Sequence, residues 1–339
     1  MKSTTLIAFI LLIINFDSTA QESPVEYMSR LGENYKQISK DTWDYMKQAS
    51  RGRNAGKIEK RRMELASTLK SAEYRASQMK AYKGDHSLRN SVKTYLHYSY
   101  LIINSDYKNI VDLEQIAEQS YDDMEAYLMA KEAVDIKMDT IYQAMKSSEE
   151  AFAIKHNINL VESESRLSRK LTNISSLNKY YNKIYLIYFK SSWYEKKMVE
   201  ALSTGKVSDI EQYRLSLELT SKEGKEELKA VGLYRGDRKL KDACHFMLDF
   251  YQNEASKYMP GQVDFYVKGE KMQATAKSFE SKDQKSLTQK DVDEYNNSIN
   301  EYNASIESFN KTNDYLNKER QKKFEAFNKS ISAFFSQYM

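Results

Sequence analysis

One cysteine, two prolines and ten glycines are all that 339 residues offer of the types that cross-link, kink or interrupt a chain. With Cys244 alone, no intramolecular disulfide can staple the fold. So few breakers leave long stretches free to run as uninterrupted helix. Past the first twenty residues there is no apolar run approaching the roughly 20 residues that span a bilayer. A clustered basic face is missing as well. The net charge is +4, with Lys and Glu/Asp interspersed, which argues against nucleic acid as a partner. Gly-rich phosphate loops, a Gly-x-Ser-x-Gly turn and Cys-x-x-Cys pairs do not occur.

What the chain does have is charge (29%) and hydrophobicity (41%) in proportions that suit long helices with one solvated face and one buried stripe. Met1-Lys2, the apolar run 6–14 and the small residues Ser18-Thr19-Ala20 form the pattern of a signal peptide. Cleavage is expected between Ala20 and Gln21. The run is short for a membrane anchor, and no cysteine follows it to take a lipid. The mature chain is therefore expected to be exported to a bacterial periplasm or surface, or secreted.

Helical periodicity starts with Met28, Leu31, Tyr35, Ile38 and Tyr45/Met46, and breaks at 50–56. Ile58, Leu65, Leu69, Ala76 and Met79 carry a second helix, and Leu88, Val92, Tyr95, Leu96 and Ser99 a third. From Ile110 to Phe152 a three-four stripe interrupted by Ser120, Lys131 and Ser148 predicts one long coiled-coil-like helix, roughly 70 Å if unbroken at 1.5 Å per residue.

Between the second and third helices lies Tyr82-Lys83-Gly84-Asp85, followed by Leu88-Arg89. The same pattern returns 152 residues later as Tyr234-Arg235-Gly236-Asp237 with Leu240-Lys241. The expectation is a stop and a start: glycine in the left-handed region ends one helix, and aspartate caps the next. A ligand- or metal-binding role for Asp85 and Asp237 is the less economical alternative. The only two tryptophans, Trp43 and Trp193, match at an offset of 150. An insertion at Ser203-Thr204-Gly205 then shifts the register to 152, aligning Leu65 with Leu217 and Val92 with Cys244. Two tandem repeated halves are expected, 21–160 and 161–339, after a signal peptide at 1–20. Pro260-Gly261 is expected to end a helix. The polar stretch 281–289 reads as a loop absent from the first half, and a last helix runs from about Asp291 to the end, slipping register near Arg320.

The repeated Tyr-x-Gly-Asp-x-x-Leu-[Lys/Arg], with the aromatic segment NKIYLIYFKSSWY at 182–194, resembles a loosely defined group of secreted or surface proteins of spirochaetes and Bacteroidetes. That resemblance implies location and a helical fold. It transfers no functional residues.

Chemistry is sparse. His86 and His97 are three helical turns apart, too far to share a metal unaided, and the Glu-x-x-His pattern of di-iron bundles is absent. Cys244 falls on a core stripe, and its neighbour His245 points elsewhere on the helix, so a buried inert thiol is expected. No catalytic, cofactor-binding or metal-binding residue is assigned. Of the 26 tyrosines, those off the buried stripes, Tyr98, Tyr100 and Tyr194, are the candidate surface aromatics. The expected fold is all-α: elongated antiparallel helical bundles in two repeated halves with long closing helices. The expected role is binding or scaffolding in the envelope or at the surface, with another envelope protein or a surface polymer as partner and no cofactor. An envelope enzyme with a site assembled between helices, or a lipid or peptide carrier with an inter-helix groove, are the alternatives.

Overall fold

The computed structural model describes residues 22–49, 55–161 and 165–339. The signal segment, the cleavage pair Ala20/Gln21 and most of the first glycine break lie outside them. Within the described residues the protein is all-helical, without named strands. The chain divides into two compact units, one reaching Tyr180 and the other spanning Tyr181–Gln337.

The first unit opens with α1 (Pro24–Gly32), whose start is fixed by a capping box. Ser23 Oγ accepts from Glu26 N–H at 3.2 Å, and the Glu26 carboxylate returns to Ser23 N–H at 2.7 Å. Next come α2 (Tyr35–Ala49), α3 (Ala55–Gln78), α4 (Ser87–Leu101), α5 (Tyr107–Ile116) and α6 (Tyr121–Lys155). Their stripes meet in one core containing Tyr27, Leu31, Ile38, Leu65, Leu69, Leu88, Val92, Leu96 and Phe152. The long helix expected from 110 to 155 is in fact two. Ser120 caps α6 by accepting from Asp123 N–H at 3.0 Å, and that hydroxyl ends the continuity that the apolar stripe alone implied.

Helix α7 (Arg166–Thr204) contains the boundary between the units. The second unit continues with α8 (Val207–Ala230), α9 (Lys239–Asn253), α10 (Met259–Glu280) and α11 (Gln289–Tyr338). Gly224 of α8 sits so close to its neighbours that an added Cβ would lie 3.2 Å from Ile187 and 3.4 Å from Leu248. Pro260 does not end a helix. It occupies the first turn of α10, directly after the π-turn, inside a helical run that continues from Lys239. The polar loop at 281–288 also has a shorter counterpart, 117–120 between α5 and α6, so it is not unique to the second half.

Several elements of the two units have equal lengths. Helices α3 and α8 each have 24 residues, and α4 and α9 each have 15. A five-residue π-helical turn follows in each case, Ile102–Asp106 after α4 and Glu254–Tyr258 after α9. The second unit's α10–α11 hairpin extends further, since α10 has 22 residues against 10 in α5 and α11 has 50 against 35 in α6.

The Tyr-x-Gly-Asp motifs form a different device from the one expected. Helix α3 has already ended at Gln78, and the motif is a separate two-residue reverse turn. Tyr82 and Asp85 exchange backbone hydrogen bonds of 3.1 and 2.8 Å, and Tyr234 and Asp237 form the same pairing. Both central residues have positive φ (Lys83 49°, Gly84 84°; Arg235 52°, Gly236 81°), the signature of a type I′ turn. Glycine is required here for its backbone conformation, because a Cβ on Gly84 or Gly236 would meet nothing within 4 Å. Gly84→Ala and Gly236→Ala should each cost about 1–2 kcal/mol through this strain alone. Chemical denaturation of each variant checks it, and an unchanged midpoint in both would contradict the assignment.

Candidate functional site

The turns matter because of what they hold. Tyr82 is buried edge-on against Phe152 of α6 (5.8 Å, 71°), and Tyr234 is buried against Phe334 of α11 (5.4 Å, 72°). Each turn is thereby fastened to the long helix of its own unit. In the first unit Asp85 adds polar ties. Its carboxylate accepts from Ser87 N–H (2.9 Å) and Ser87 Oγ (2.6 Å), so it does start α4, from one position before the cap residue His86. The other oxygen meets Lys155 Nζ at 2.8 Å and His156 Nε2 at 3.1 Å. Lys155 foremost, with Ser87 and His156, holds the Asp85 carboxyl well below the usual carboxylate range.

The π-turns have their own clamp. An i→i+5 bond closes each, from Tyr107 N–H to the Ile102 carbonyl and from Met259 N–H to the Glu254 carbonyl. Arg62 of α3 donates to the carbonyls of Ile103 (2.9 Å) and Asn104 (3.2 Å), and Arg214 of α8 to that of Ala255 (3.1 Å). Glu59 orients Arg62 and Glu211 orients Arg214, both at 2.6 Å. These Glu-x-x-Arg pairs stand 152 residues apart. The repeat spacing carries their signal, but as charged residues they lie off the apolar stripes.

The second π-turn carries a buried cluster of charged groups. Glu254 is fully buried and accepts from Arg320 Nη2 of α11. Arg320 Nε lies 2.7 Å from Glu195 Oε1 of α7. Two carboxylates thus share one guanidinium, and Glu254 Oε2 has no hydrogen-bond partner among the described residues. Burial, outweighing the attraction of Arg320 and reinforced by repulsion from Glu195, pushes the Glu254 carboxyl up to about 8. Burial raises Glu195 as well, against the pull of Arg320.

Beside this triad, an open groove of about 280 Å³ is lined by Phe246, Phe250, Tyr258 and Tyr315, with Asn253 and Glu319 among its polar residues. Phe246 is 61% exposed and Tyr315 45% exposed. The Tyr258 and Tyr315 rings lie 5.2 Å apart. Sequence reading named none of these aromatics. The available signal was the i, i+4 pair Phe246/Phe250 on the face of α9 away from Cys244 and Leu248. The aromatics it did name lie elsewhere. Tyr98 is half exposed, edge-on to His97 at 5.7 Å. Tyr100 packs on the first unit's core with Lys70 Nζ 5.6 Å from its ring, and Tyr194 is half-buried against Trp193 at 5.1 Å. Cys244 is buried, and burial pushes its thiol up to about 12. Among the described residues no group of three or more His, Cys, Asp or Glu is placed to hold a metal ion. No helix of the described residues is long and apolar enough to cross a membrane. Comparison with family models, curated proteins and solved structures finds no match to this chain.

Asp85 gives a pH test. Its folded-state affinity for protons is depressed, so its stabilising effect is complete above the ordinary carboxylate range and is lost as pH falls through and below it. Asp85→Asn should lower stability at pH 7 and flatten the acid limb of the stability curve. Parallel acid limbs in the variant and the parent would contradict the assignment.

Proposed function

We propose that this is an exported, all-helical binding or scaffolding protein of a bacterial envelope or surface, non-catalytic and built from two copies of one helical unit. The observation that carries the binding reading is the open aromatic groove over the second π-turn. Aromatic side chains that remain accessible beside mixed charges are the composition of recognition surfaces. The carboxylates with raised proton affinity lie close by, but Glu254 is closed to solvent, which favours a structural over a catalytic role.

Support for duplication comes from features that recur at one spacing: the type I′ turns, the Glu-x-x-Arg clamps, the π-turns and two pairs of helices of equal length. A stripe of apolar residues can be matched by chance, whereas one non-glycine residue with positive φ at the same place in each copy, Lys83 and Arg235, is costly and specific. Export rests on the N-terminal pattern, and N-terminal sequencing of the protein from its source cells should read from Gln21. A protein that retains Met1 would refute it.

For binding, the tagged mature chain should capture a partner from envelope extracts. Phe246→Ala with Tyr315→Ala should reduce that capture at least tenfold, the loss of about 1.4 kcal/mol or more that marks anchor residues. Undiminished capture by the double variant would remove the groove from the reading.

A further inference from the structure

Glu195, Glu254 and Arg320 come from α7, the π-turn and α11, so the triad joins three elements of the second unit at one point. Its charge does not balance. Glu254 is 0% exposed, and the Glu195 and Arg320 side chains are each 15% exposed. A second negative charge held there beside a single guanidinium would lack both water and a counter-ion. A proton is the smallest species that removes the deficit, and Glu254 Oε2, buried without a partner among the described residues, is where it would reside.

The corresponding positions of the first unit make the contrast plain. Counting from the paired turns, π-turns and long-helix phenylalanines, Glu195, Glu254 and Arg320 match Tyr45, Ile102 and Met138. Tyr45 and Ile102 are buried, and Met138 packs against the Ile102 cluster. The three positions of the triad are therefore uncharged at the matching places of the first unit, where the Asp135 carboxylate, one turn from Met138, accepts from the Tyr107 hydroxyl at 3.2 Å.

We propose that the Glu195–Arg320–Glu254 triad is a proton-operated latch that fixes α11 to α7 and the second π-turn while it holds one proton, and loosens when the proton leaves for solvent. Tyr258 of the π-turn and Tyr315 of α11 stand on two elements the latch joins, with their rings 5.2 Å apart, so its release parts a contact that lines the groove. That consequence rests on the groove being the binding surface; the latch does not. The other groups facing the triad hold their charge state across neutral pH. Burial raises the phenols of Tyr188 on α7 and Tyr251 on α9. Arg214 of α8 stays cationic between Glu211 and Glu218. Because the Glu254 carboxyl is raised, the latch is complete below the ordinary carboxylate range and is lost as pH rises through about 8.

Hydrogen–deuterium exchange of the full chain at pH 6 and pH 9, corrected for intrinsic exchange, tests it. Protection over 251–260 and 314–324 should fall at least tenfold at pH 9, while 62–72 of α3 should not change. Glu254→Gln should abolish the fall. Should that variant not fold, Glu195→Tyr with Glu254→Ile and Arg320→Met installs the first unit's residues and should keep full protection at both pH values. Equal protection of the parent chain at pH 6 and 9, or a variant that keeps the parent's fall, would overturn the latch. Loss of partner capture on changing the groove aromatics is a separate result and does not bear on it.

Discussion

A tyrosine on a strained reverse turn, buried against a phenylalanine far along the chain, is the contact on which each unit depends. The turn alone would be a weak local structure, since Lys83 and Arg235 adopt a backbone conformation that lysine and arginine disfavour. The ring alone would be an exposed aromatic in a connection between helices. Together they convert a local backbone preference into a long-range constraint, because burying Tyr82 or Tyr234 fixes where α6 or α11 must lie. Aromatic pairs of this geometry add about 0.5–1.5 kcal/mol beyond the area they bury. The positive φ is therefore a cost that only the packed unit can offset.

With that frame in place, the units differ in how they treat polar groups inside. The first unit buries Tyr35 and Tyr95 near Glu149, whose carboxyl is pushed up to about 8 by burial. The second unit holds two carboxylates and one guanidinium together at its π-turn. Ionic groups of this kind seldom improve stability over apolar packing, and removing one member is costly because it strands the others. Their value is that they make a junction conditional. In the second unit the conditional junction lies beside exposed aromatics, which is why the groove and the triad belong in one functional account.

Much of the helical framework was legible from periodicity and punctuation. Gly205, with φ of 70°, ends α7 where the Ser-Thr-Gly triplet indicated, and the loop at 281–288 lies where apolar periodicity stops. Three features were misread for specific reasons. Ser120 looked like a mere interruption of a stripe, but a serine hydroxyl competes for helix N–H groups and split one rod into two. Pro260 reads as a stop, but it lies just after a π-turn in a helical run that continues through it. Gly84 reads as a helix end because a lone glycine signals one positive φ, whereas the type I′ turn has two in succession. The triad was invisible for a different reason. Glu195, Glu254 and Arg320 are far apart in sequence and unremarkable in type, and only packing shows that all three face inward. The groove aromatics lay off every buried stripe and were hidden among 26 tyrosines and 13 phenylalanines.

The most direct measurement of the central claim is an exchange of the two turns within the full chain, placing the sequence of 231–238 at 79–86 and the reverse. If both turns are the same device, each pinned through its tyrosine to the long helix of its unit, the exchanged protein should unfold within about 1 kcal/mol of the parent, the range of substitutions that leave buried contacts intact. A loss of several kcal/mol, or a chain that no longer unfolds cooperatively, would show that the two turns are held by different interactions and would contradict the account.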